Sequence, residues 1–122
     1  LLLVGFAFIL LVEIPDVEAD RKGGKRTLIS RQGRRFGFVA VGVLFATVTL
    51  LFALLAALYP EHPARFDAIC VYSLLPTVPA IAGAVRRPVP RAAAAHHVSV
   101  ILVALVMFVA VTDAHLVRLL LR

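Results

Sequence analysis

Residues 13–28 read EIPDVEADRKGGKRTL, a charged stretch between apolar runs. Four carboxylates (Glu13, Asp16, Glu18, Asp20) are followed by four cations (Arg21, Lys22, Lys25, Arg26). Asp16 and Asp20 stand four apart, which on a helix puts both side chains on one face. Glu13, three before Asp16, is expected on that face, and Glu18 points elsewhere. Two carboxylates, with open positions left for phosphate oxygens, are how proteins usually hold Mg²⁺. Lys22, Lys25 and Arg26 follow directly, and phosphate is what such cations bind. As bare chemistry the stretch is a candidate Mg²⁺–diphosphate site. A solvated loop between membrane helices has a similar charge pattern, because cytoplasmic loops collect Lys and Arg. Both readings rest on the same residues.

The elements around this stretch belong to a membrane protein. The chain has 122 residues, of which 61% are hydrophobic, against about 45–50% apolar in soluble domains. Long uncharged runs predict an all-α, polytopic transmembrane bundle. A single cysteine, Cys70, excludes an intrachain disulfide and a cysteine-based metal site; it reads as a small apolar packer. The net charge is +6, yet seven of the thirteen Lys/Arg lie within 21–35. With no basic soluble domain to carry it, nucleic-acid binding is excluded.

About four spans are expected, the first truncated. The apolar run 1–12 is shorter than the roughly 20 residues a span requires, and it lacks the basic start of a signal peptide. Residues 1–14 therefore read as the end of a longer helix, and the sequence as the C-terminal part of a larger bundle. Pro15 is expected to open a helical turn, and Gly23-Gly24 to end it. Residues 15–35 form the Asp-rich and basic loop, with Arg31 and Arg34 as either interface anchors or additional diphosphate contacts. Spans follow at 36–59, 68–85 and 98–121. Thr47 and Thr49 either line a pocket or bond back to their own helix. Pro76 and Pro79 should kink or break the second of these spans. His96 and His97 are adjacent, so on a helix they diverge and cannot share a metal. Asp113 lies inside the last span, near its far end, where a charge reaches the interface. Tyr59 and Phe66 suit interfacial anchors, and His62 a solvated loop.

The basic loops set an orientation. Residues 86–91 carry three Arg, the 59–67 loop one, and the C-terminal end two. Alternating helices put the 21–35 and 86–91 loops on one side, by rule the cytoplasm. This predicts an integral protein of the cell inner membrane with the Asp-rich loop cytoplasmic.

The order Asp16-x-x-x-Asp20, Gly23-Gly24, Lys25-Arg26, Thr27-Leu28 resembles the second aspartate-rich motif of the UbiA superfamily of intramembrane prenyltransferases. The resemblance covers about sixteen residues and fits the helices that follow. It implies transfer of a polyprenyl group from a prenyl diphosphate to an aromatic, quinone-precursor-like acceptor. It implies Asp16 and Asp20 as Mg²⁺ ligands and Lys22, Lys25, Arg26 and Arg21 as diphosphate contacts. The family's first motif, of the N-D-x-x-D-x-x-x-D kind, is not found in this chain. The resemblance therefore implies at most half a catalytic site here, with a missing N-terminal half as partner, and no activity from this stretch alone. The alternative is a non-catalytic small membrane subunit that uses the charged loop for docking.

Overall fold

A computed structural model describes residues 2–88 and 90–121. The described residues hold six helices and no strand: α1 (Leu2–Glu13), α2 (Val17–Lys22), α3 (Leu28–Gln32), α4 (Arg34–Leu58), α5 (Phe66–Arg86) and α6 (Arg91–Leu120). Helices α4, α5 and α6 are each long and apolar enough to cross a membrane. Helix α1 has 12 residues; at ~1.5 Å per residue it reaches about 18 Å, short of the roughly 30 Å hydrocarbon core. Three of the four expected spans are therefore complete in length, and the first is a short apolar helix.

Short links make neighbours antiparallel, and side chains at both ends record it. At one end Arg91, opening α6, pairs with Asp16 at 3.3 Å. At the other, His115 near the end of α6 meets the Ala64 carbonyl at 3.2 Å, in the link before α5. The Asp-rich turn and the start of α6 thus share one end of the bundle, as alternation of the helices requires.

Helix α4 is central. Its stripe Phe38, Val41 and Phe45 is buried in one core with Leu11 of α1, Ile14 just after it, Ala80 of α5 and Ile101 of α6. The outward faces stay apolar, with Val43, Leu50, Val71, Val78, Val103 and Val106 exposed. A water-facing monomer rarely presents this much contiguous apolar surface; lipid is its natural solvent.

Helices α4 and α5 approach closely at Gly42. A Cβ there would lie 2.9 Å from the Ala84 Cβ and 3.3 Å from the Ala80 carbonyl oxygen. Small residues at a crossing let membrane helices come together where apolar burial gives little drive. Hydroxyls tie the same seam. Thr49 Oγ1 lies 2.8 Å from Thr77 Oγ1 and 2.9 Å from Ser73 Oγ. Thr47, by contrast, bonds back to the Val43 carbonyl of its own helix at 2.8 Å.

Of the kink or break expected at Pro76 and Pro79, a break does not occur: helix α5 runs through both. The helical bonds that the two prolines cannot make would end on the Tyr72 and Leu75 carbonyls; side chains bond to other carbonyls of the same helix. Ser73 Oγ donates to the Cys70 carbonyl at 2.7 Å, and Thr77 Oγ1 to the Ser73 carbonyl at 2.7 Å. His97 Nε2 meets the Pro79 carbonyl from α6 at 2.8 Å. Helix boundaries also shift from expectation. Arg34 and Arg35 belong to α4, and α6 begins at Arg91, so residues 92–97 are helical. His96 is exposed and His97 half-buried, diverging as adjacent helical residues must.

Gly42→Leu should force α4 and α5 apart and cost about 1–3 kcal/mol, read as a lowered melting midpoint in detergent. Thr47→Val, on the outer face, should stay within about 0.5 kcal/mol. Equal midpoints for the two variants would contradict the close crossing at Gly42.

Candidate functional site

The Asp-rich stretch folds as two short helices hung between α1 and α4. Ile14 is fully buried and pins the end of α1 to the core. Helix α2 starts at Val17 with Asp16 as its N-cap residue, so Pro15 lies in the preceding turn rather than opening the helix. The reason is Arg34. Its guanidinium donates to the Ile14 carbonyl at 3.0 Å and the Pro15 carbonyl at 2.9 Å. Those carbonyls are thereby taken up by a side chain from α4.

Gly23 and Gly24 end α2 as expected, and the chain doubles back. Lys25 N–H donates to the Asp20 carbonyl at 2.9 Å. Thr27 caps α3, its hydroxyl accepting from Ser30 N–H at 3.1 Å. Ser30, buried, is placed to donate to the carbonyls of Lys25 at 3.0 Å and Thr27 at 2.9 Å. These bonds hold the 25–27 segment against α2.

Asp16 and Asp20 sit one helical turn apart, with Asp20 N–H donating to the Asp16 carbonyl at 2.8 Å. The Asp16 side chain makes no capping bond and pairs with Arg91 at 3.3 Å, half exposed. Asp20 is largely covered, at 15% side-chain exposure, and pairs with Lys25 at 3.7 Å. Glu13 closes α1 and does not join them. Among the described residues no group of three or more His, Cys, Asp or Glu gathers to hold a metal. Two hard carboxylates one turn apart still match Mg²⁺, which takes one or two carboxylates and completes its octahedron with water and phosphate oxygens.

The cations divide. Lys25 folds back onto Asp20. Lys22 and Arg26 are exposed and have no ion pair among the described residues. Arg21 turns toward α3, its Nε donating to the Ser30 carbonyl at 2.6 Å. Glu18 leaves the Asp face, as its spacing required, and pairs with Arg34.

Arg34, expected as an interface anchor or a diphosphate contact, is instead turned onto the Ile14 and Pro15 carbonyls and Glu18. Its side chain is 6% exposed. The available signal was periodicity: Arg34, Phe38, Val41, Phe45 and Val48 follow a 4-3-4-3 spacing along the buried face of α4.

An apolar cavity of about 690 Å³ lies further along the helices. Its walls include Val48 and Phe52 of α4, Phe66 of α5, and Phe108, Thr112 and Asp113 of α6. Val48 is fourteen residues into α4, about 21 Å along its axis from Arg34. The Thr112 hydroxyl is buried there without a hydrogen-bond partner among the described residues. Asp113 therefore belongs to the end of the bundle remote from the Asp-rich turn.

The chain matches no family model, no curated protein and no solved structure at a significant level.

Replacing Arg34 by Met keeps the stem but removes the fork, leaving buried carbonyl oxygens of Ile14 and Pro15 without this donor. The expected loss is about 2–3 kcal/mol, seen as a lower melting midpoint in detergent. Arg34→Lys should recover only part of it, because an ammonium cannot span the same acceptors. A midpoint unchanged by Arg34→Met would contradict this role.

Proposed function

We propose that this chain supplies the second aspartate-rich half of a membrane prenyltransferase site of the UbiA type. The reaction is transfer of a polyprenyl group from a prenyl diphosphate to an aromatic acceptor of the quinone-precursor kind. The observation that carries the proposal is the ordered run Asp16-x-x-x-Asp20, Gly23-Gly24, Lys25-Arg26, Thr27 at one end of an apolar helical bundle. A docking loop has no need of this order, whereas a diphosphate site uses each part.

In this reading Asp16 and Asp20 hold Mg²⁺, and the chemistry a bound Mg²⁺ supplies is neutralisation of the departing diphosphate. Lys22, Lys25 and Arg26 bind the diphosphate oxygens. Lys25 reaches the Asp pair in the present arrangement, so it can exchange Asp20 for a phosphate oxygen without moving the backbone. Arg91, now on Asp16, brings a further cation from α6 to the same place. Arg21, held on Ser30, contributes positioning of α3 rather than a diphosphate contact. The isoprenoid tail lies among the apolar helices, where water is excluded and an allylic cation is spared hydrolysis. The first aspartate-rich motif comes from another part of the protein. In this reading the site faces the cytoplasm at the cell inner membrane, an orientation that the excess of Lys and Arg in its loops supports.

The test uses the native gene product extracted from membranes, assayed for prenyl transfer with Mg²⁺ and with EDTA. Asp16→Ala and Asp20→Ala should each lower kcat by at least about 100-fold, and EDTA should abolish transfer. Asp67→Asn, at the opposite end, should retain activity. Near-normal turnover in both Asp variants, or transfer that persists in EDTA, would contradict the assignment and favour a docking role for the loop.

A further inference from the structure

A second polar concavity lies on the other side of α2 from the Asp pair. It has a volume of about 260 Å³ and is walled by Glu18 and Arg21 of α2, Gln32 of α3, and Gly33, Arg34 and Arg35 where α4 begins. Successive helical residues turn by about 100°. Glu18 and Arg21 therefore occupy the half of α2 opposite Asp16 and Asp20.

The charges in this cavity do not cancel. Arg34 is compensated by Glu18. Arg21 and Arg35 have no carboxylate in ion-pair range among the described residues. Arg21 is also held in place. Its Nε is bound to the Ser30 carbonyl at 2.6 Å, and its Nη2 lies 3.8 Å from where a Cβ on Gly33 would stand. Gly33, at φ 91°, breaks the chain between α3 and α4 and offers no side chain to cap the longer helix. The first N–H groups of that 25-residue helix add positive potential at the same point. Two uncompensated guanidinium groups, one already fixed, converge on a pocket with room for a phosphate group and its remaining waters.

The position of the cavity identifies the source of that phosphate. It sits where a membrane-spanning helix begins, and Phe36, immediately after Arg35, is exposed. This is the depth of lipid headgroups, with the apolar surface starting one residue on. We propose that the cavity binds the phosphate of an anionic membrane lipid between Arg21 and Arg35, at the amino end of α4. The site requires α4 to span a membrane and is independent of the prenyltransferase reading.

The purified chain in detergent is titrated with short-chain phosphatidylglycerol, with phosphatidylcholine and with inorganic phosphate, and bound ligand is counted by native mass spectrometry. One phosphatidylglycerol should bind about tenfold more tightly than phosphatidylcholine. Arg35→Gln should weaken it about tenfold, the loss of one charge-assisted contact. Arg35 is exposed, so its variant should melt with the wild type. Arg86→Gln, exposed at the same end of the bundle, should leave lipid binding unchanged. No effect of Arg35→Gln, or an equal effect of Arg86→Gln, would overturn a defined site in favour of diffuse loop charge. Binding of inorganic phosphate but not of phosphatidylglycerol, still lost in Arg35→Gln, would overturn the lipid as the source.

Discussion

A guanidinium sealed inside the bundle governs how the charged end of this protein is built. Arg34 stands on the same stripe of α4 as Phe38 and Phe45, where a charge out of water is costly unless fully engaged. It meets that cost by reaching the carbonyls of Ile14 and Pro15 and the carboxylate of Glu18. Each of these bonds has a consequence beyond stability. Capture of the two carbonyls ends α1 and sets where α2 starts. Capture of Glu18 fixes the rotation of α2 about its axis. With Glu18 held on Arg34, Asp16 and Asp20 lie on another face of α2, toward Arg91 and Lys25. The direction in which the Asp pair points is thus determined by a residue that is not part of it.

The rest of the bundle gives that end a rigid base. In lipid, apolar burial contributes little to helix association, so contact depends on close packing and on hydrogen bonds between helices. The α4–α5 seam uses both, with Gly42 against Ala80 and Ala84, and Thr49 against Ser73 and Thr77. Helix α6 is tied to α5 by His97 on the Pro79 carbonyl and by an edge contact of His115 on Tyr72. The end of the bundle with the Asp-rich turn is polar and knit by backbone contacts, whereas the other half encloses an apolar cavity. That division suits a substrate with a charged head and an oily tail.

The spans were readable in the sequence because uncharged length is a strong signal, and the Asp pair was readable because i, i+4 spacing carries over directly to a helix. Boundaries were less so. The charges of Arg34 and Arg35 argued for loop, but the apolar stripe that begins at Arg34 won, and the helix extends to include them. Pro76 and Pro79 argued for a kink or a break, but the helix runs unbroken through both. The Arg91–Asp16 pair joins residues 75 positions apart, so no local pattern announces it. Arg21 was grouped with the diphosphate cations by the resemblance, while the turn of α2 carries it to the reverse face.

The central claim is that Asp16 and Asp20 hold a divalent ion against a diphosphate. Electron paramagnetic resonance of the native gene product, with Mn²⁺ replacing Mg²⁺ and a prenyl diphosphate added, tests it most directly. The prediction is one bound Mn²⁺ showing coupling to ³¹P, lost when both aspartates are changed to Ala. Mn²⁺ that fails to bind, binds without phosphorus coupling, or keeps that coupling in the double variant would contradict it.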